Sequence, residues 1–147
     1  MAYERLVKNG LIKPYAATKI EIAHLLQIAR RDITAARRNL KDDPDWAYSM
    51  AYNALLQASR ALILHEGYRP RGGEQHLTVV EFIKERLGQS YSSQVNMFDQ
   101  MRRKRHRLIY ETPGIVSTTE VNSMINFSEK FIEEIDEVIN RQPTLGI

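Results

Sequence analysis

Apolar positions along the chain recur at intervals of three and four rather than two, so the pattern predicts helices and gives no sign of alternating strands. Ile22, Leu26, Ala29, Ile33, Ala36 and Leu40 are spaced 4, 3, 4, 3, 4 and fall on one helical face. Val121, Ile125, Ser128, Ile132, Ile135 and Ile139 repeat the same spacing near the other end. Between them, Ala47, Ala51, Ala54, Ala58 and Ala61 form a stripe of small residues that lets a neighbouring helix approach closely. The other faces of that helix are also largely apolar, which places it centrally.

Glycine and proline divide the chain into five unbroken stretches, about 15–43, 45–66, 74–87, 89–112 and 115–142. Thr18-Lys19-Ile20-Glu21 and Ser117-Thr118-Thr119-Glu120 have the form of capping boxes, in which a hydroxyl and a carboxylate satisfy free amides of the first turn. Asp43-Pro44 sets an N-cap before a proline at the first helical position, and Gly67 suits the end of that helix. A short helix runs from His76 to Leu87 and stops at Gly88, and Pro143 closes the last one. The expected fold is all-α, an up-and-down helical bundle of four long helices plus a short helix, in a single domain over residues 1–147 with its core at about 15–140. Residues 67–74 read as an irregular crossover, and Trp46 as an anchor in the core.

Composition narrows the chemistry. The chain has 147 residues and no cysteine, which excludes disulfides, thiolate metal sites and a cysteine nucleophile. No apolar run approaches the length of a membrane span, and the first residues lack a secretion-signal layout, so a soluble cytoplasmic protein is expected. The net charge of +3 is unevenly spread. Residues 1–41 hold nine Lys/Arg against three acids, whereas residues 111–147 hold two against seven. Such polarity serves either to pack the ends together or to present a basic face to an acidic partner.

The stretch from Ser92 to Glu111 breaks the pattern. With Phe98 as reference, Met101 and Ile109 share its side of the helix, but Arg102 and Arg105 fall within about 40° of it. Asp99, Arg102, His106 and Tyr110 form a ladder on consecutive turns, inside a run (Arg102, Arg103, Lys104, Arg105, Arg107) with five cations in six positions. A guanidinium on a core-facing stripe is costly unless it meets an anion or rich hydrogen bonding, and crowded like charges oppose the helix. Asp99 can pair with Arg102 or Arg103, the run can be a solvated face, and His106 an ordinary surface imidazole. Alternatively the arginines, with Asp99 beside them, bind the phosphates of RNA or a nucleotide, and His106 reaches a ribose hydroxyl. Elsewhere, His24 lines up with Arg31 and Arg38 as a solvated face or a basic ridge. His65 suits a helix C-terminus, and Arg69, Arg71, Gly72 and Gly73 only loosely resemble a phosphate-cradling loop. The histidines show no metal-ligand spacing, and no cofactor motif is present, so no metal or cofactor is expected.

The segment Phe98-Asp99-Gln100-Met101-Arg102-Arg103-Lys104-Arg105-His106-Arg107-Leu108-Ile109-Tyr110-Glu111 resembles the signature helix of HEPN domains, small helical proteins of prokaryotic toxin–antitoxin and defence systems. The Ala-rich helix Tyr52–Leu62 running into Gly67-Tyr68-Arg69-Pro70, followed by His76 and a short helix, is similar to stand-alone HEPN proteins often encoded beside a minimal nucleotidyltransferase. The resemblance, which spans residues 15–140, implies a homodimer whose two signature helices face each other across a cleft. In active members that cleft is a metal-independent ribonuclease site, with a motif of an Arg, often followed by a polar residue, then four to six residues and a His, a spacing that Arg102 and His106, with only three residues between them, do not meet. Arg105 takes the Arg position and His106 the polar one, while Tyr110 stands where the terminal His would be. The expectation is therefore an RNA- or nucleotide-binding dimer, catalytically weak or silent, that partners a nucleotidyltransferase and offers Tyr110 as a modification site. One alternative is an active endoribonuclease in which Arg102 and Arg105 stabilise the phosphorane, His106 is the base and Tyr110 orients the phosphate. The other is a purely structural homodimer.

Overall fold

The computed structural model describes residues 3–73 and 75–141. In chain order the elements are helix α1 (Glu4–Lys8), strand β1 (Ile12–Pro14), helices α2 (Lys19–Asn39) and α3 (Pro44–His65), strand β2 (Tyr68–Pro70), helix α4 (Gln75–Leu87), a 3-10 turn (Gln89–Tyr91), and helices α5 (Ser92–Tyr110) and α6 (Thr118–Asn140). The four long helices and the short α4 are those expected from periodicity, and the fold is all-α with a minor two-stranded ribbon. The expected stop at Pro143 lies outside the described residues.

Three helix starts use the side chains anticipated. The Thr18 hydroxyl accepts from the Glu21 amide at 3.1 Å, Asp43 Oδ1 from the Trp46 amide at 3.1 Å, and the Ser117 hydroxyl from the Glu120 amide at 3.0 Å. Both glutamates of the capping boxes have other partners. Glu21 accepts from the Tyr15 hydroxyl at 2.9 Å, and Glu120 pairs with Lys104 of α5. Gly67, at φ +92°, follows α3 in the left-handed region where a side chain would be strained.

Central α3 buries residues on every face from Ala47 to Ile63, packing against α2 and α6 on one side and against α4 and α5 on the other. The alanine stripe is fully buried, as are the Val121, Ile125, Ser128 and Ile135 positions of α6. Between these helices and α5 lie Tyr52, Phe98, Met101 and Phe131.

Three local expectations are corrected. Strands do occur: β1 pairs antiparallel with β2, with Ile12 opposite Pro70 and Pro14 opposite Tyr68, so residues 67–74 are not an irregular crossover throughout. Three-residue strands that each contain a proline are too short to show alternation. A helix at Glu4–Lys8 was also not foreseen. It is tied down by fully buried Leu6 and by Tyr3, which stacks on Phe82 with ring centroids 4.3 Å apart. Trp46 is no core anchor but 53% exposed, because burial on α3 begins one residue later, at Ala47.

Candidate anion-binding cleft

Helix α5 turns Val95, Phe98, Met101 and Leu108 into the core. Their spacing of 3, 3 and 7 leaves one inward position empty of an apolar residue, and that position is Arg105, four after Met101 and three before Leu108. Ile109, expected on this face, is instead 41% exposed, since the stripe turns through Leu108. Arg105 is half-buried, its guanidinium carbon 5.7 Å from the centroid of the Tyr52 ring, and its Nε is buried with no hydrogen-bond partner in the described structure. A cation–π contact offsets part of the cost of such a position, and an unpartnered guanidinium nitrogen adds to it.

The other cations of the run have separate fates. Arg102 Nε donates to Asp99 Oδ1 at 2.9 Å, and Arg103 Nε donates to Asp99 Oδ2 at 3.0 Å, so the carboxylate joins both. Burial alone would raise the Asp99 pKa, but these hydrogen bonds prevail and hold the carboxyl below its ordinary value. Lys104 reaches across to Glu120 and ties α5 to the start of α6. Arg105 and Arg107 have no ion pair among the described residues.

These side chains converge with groups that periodicity did not single out. A cleft of about 610 Å³ is lined by Arg102, Arg103, Arg105, His106 and Arg107 of α5, together with Arg60 of α3 and His76 of α4. Gly73 and Gln75 complete its rim, and no carboxylate lines it among the described residues. Arg60 is half-buried in α3, and burial lowers its pKa. The Tyr52 hydroxyl lies 3.0 Å from His76 Nδ1. Burial pushes the Tyr52 phenol up to about 12, against the opposing pull of Arg105, Arg102 and Arg60. His76 is pushed down, first by burial and then by Arg60, Arg105 and Arg102.

The residues expected from sequence thus divide. Arg102, Arg103, Arg105 and His106 line the cleft, whereas Asp99 braces two of them and does not line it. Tyr110 is 68% exposed outside the lining, its ring 4.8 Å from that of His106. Gly73 borders the cleft, but Arg69 sits over the Tyr15 ring at 5.5 Å, so the Arg-Gly segment is no cradle of its own. His24, Arg31 and Arg38 lie exposed on α2, and His65 is the last residue of α3. Sequence reasoning missed Arg60, His76 and Tyr52. One signal was there for Arg60: an arginine inside an otherwise apolar helix is as anomalous as Arg105 on the α5 stripe.

Geometrically, the cleft is a cationic concavity whose guanidinium groups suit the charge and planar fork geometry of phosphate or carboxylate ligands. No described helix is long and apolar enough to cross a membrane. No curated protein matches the chain significantly. A family model described as HEPN domain matches residues 22–138.

Proposed function

This chain belongs to the HEPN family, and we propose that it binds RNA or a nucleotide through the phosphates, in the arginine cleft, as a homodimer. In this reading it works within a toxin–antitoxin or defence system, beside a nucleotidyltransferase. The observation that carries the proposal is Arg105, a charged residue at a core register position with a buried, unpartnered Nε, opening on a cleft with four more arginines. Removing cations from water without pairing them costs stability, and an anionic ligand supplies the missing partner.

The protein is catalytically weak or silent on this account. Tyr110 occupies the motif position where active relatives carry histidine, and it sits outside the cleft lining. A phenol is a poorer general base than the imidazole it replaces. The exposed phenol instead suits nucleotidyl transfer: its oxygen attacks the α-phosphorus of ATP, the phenolic proton goes to solvent, and pyrophosphate leaves. Incubation with the cognate transferase and ATP then adds one nucleotidyl mass at Tyr110, and an unchanged mass spectrum removes this part of the reading.

Anisotropy titration of a labelled single-stranded oligoribonucleotide, and of ATP, at low and moderate salt tests the binding claim. Wild type binds with strong salt dependence, and Arg105→Ala weakens binding by about tenfold or more. Wild-type protein that binds neither ligand contradicts the proposal.

One observation favours the ribonuclease alternative: His106 shares the cleft with Arg102 and Arg105. His106 would take the 2′-hydroxyl proton as that oxygen attacks phosphorus, and the arginines would hold the charged phosphorane. The 5′-oxygen would leave with a proton, giving a 2′,3′-cyclic phosphate. Cleavage in EDTA that Arg105→Ala and His106→Ala both abolish supports this route, and intact RNA after prolonged incubation excludes it.

A further inference from the structure

The wall of the cleft opposite the arginine-rich helix has a composition of its own. Arg60 comes from the C-terminal third of α3, and His76 from the first turn of α4. The two are linked through Tyr52, whose hydroxyl contacts His76 and whose ring lies beneath the Arg105 guanidinium. Tyr52 itself is 1% exposed, so it fixes both neighbours from below. Among the described residues Arg60 has no ion pair and Arg105 Nε has no hydrogen-bond partner.

We propose that Arg60 and His76 form, with Arg102 and Arg105, one phosphate-binding subsite in which His76 takes up a proton when the phosphate binds. This inference rests on the reading of the cleft as a phosphate site and assigns two binding residues that the α5 motif does not supply. With the Tyr52 hydroxyl donating to Nδ1, the neutral imidazole carries its proton on Nε2 and can donate it to a phosphate oxygen. On protonation, Nδ1–H donates to the Tyr52 oxygen and Nε2–H is kept, so both forms fit the same geometry. The groups that bear on His76 are Tyr52 and Arg60 from α3 and Arg102 and Arg105 from α5, with Arg103, His106 and Arg107 lining the same cleft. Burial and these arginines disfavour the imidazolium in the free protein. The proximal end of the α4 dipole acts in the same direction. A dianion placed among the arginines cancels their field, and the imidazolium then gains a partner. Binding therefore strengthens as pH falls through the His76 titration of the complex.

Histidine-ring NMR of the full chain tests this, with sulfate as a dianion that does not itself titrate near neutrality and chloride at matched ionic strength as control. His76 is assigned as the signal lost in His76→Gln. The expected result is a His76 titration shifted upward by about one unit in sulfate, and sulfate binding several-fold weaker in Arg60→Met, a change that keeps most of the buried stem. A His76 titration that sulfate leaves unmoved overturns the proposal, and this readout on wild type does not depend on any variant folding. So does an Arg60→Met protein that is folded by its melting curve and binds sulfate and oligoribonucleotide as wild type does. If Arg105→Ala loses oligoribonucleotide binding in that same series, the subsite fails while the phosphate reading of the cleft stands. Wild type that binds neither probe removes both.

Discussion

Helices α5 and α6 are of similar length, 19 and 23 residues, and both lie against the bundle core, yet they use their inward faces differently. Every inward position of α6 from Val121 to Ile139 is filled by an apolar residue or by Ser128, whose hydroxyl is 3.8 Å from Met101 Sδ. On α5 the same register runs through Val95, Phe98 and Met101, then meets Arg105 before returning to Leu108. A face built for stability alone would carry leucine or isoleucine there. The difference teaches that a fixed cation interrupting a packing stripe costs stability, a cost that the proposed phosphate ligand would offset.

The largest effect expected from breaking this contrast comes from α6. Ile125→Ala, at a fully buried position, destabilises the fold by about 3 kcal/mol through lost transfer energy and a cavity. Chemical denaturation measures it, and ligand affinity per folded molecule stays unchanged. On α5 the matching change goes the other way. Arg105→Leu fills the stripe and leaves stability unchanged or raised by about 1 kcal/mol, read by the same denaturation.

Two pH dependences sharpen the comparison further. The Asp99 carboxyl is held below its unfolded value near 3.9. Its contribution is therefore present above that pH and lost as pH falls through the folded value, a slope that Asp99→Asn removes. His76 is also depressed, from an unfolded value near 6.5. The unfolded chain takes up the proton first, so stability falls as pH drops below about 6.5, and His76→Gln flattens this part of the curve. Melting temperatures recorded across pH 3 to 8 in low-phosphate buffer check both. Smallest of all is Trp46→Ala, expected within about 0.5 kcal/mol, because the ring is more exposed than buried.

Much of this contrast is legible in the sequence. Stripes at Ile22–Leu40 and Val121–Ile139, the caps at Thr18, Asp43 and Ser117, and the anomaly at Arg102 and Arg105 all follow from local spacing and side-chain chemistry. What is not legible depends on contacts between distant segments. The β1–β2 ribbon joins residues more than fifty positions apart in strands too short to show a period. The cleft's second wall is assembled by packing α3 and α4 against α5, which brings Arg60 and His76 to within reach of Arg105 although no local pattern connects them. Trp46 and Ile109 are exposed for local reasons of register: burial on α3 begins at Ala47, and the inward stripe of α5 turns through Leu108.

The most direct test of the central claim is the affinity of Arg105→Leu for a single-stranded oligoribonucleotide, measured beside wild type on samples whose denaturation curves are also recorded. The account predicts a protein at least as stable as wild type whose binding is weaker by about tenfold or more. Binding equal to that of wild type, or a loss of several kcal/mol in stability, would show that Arg105 serves the core and not a ligand.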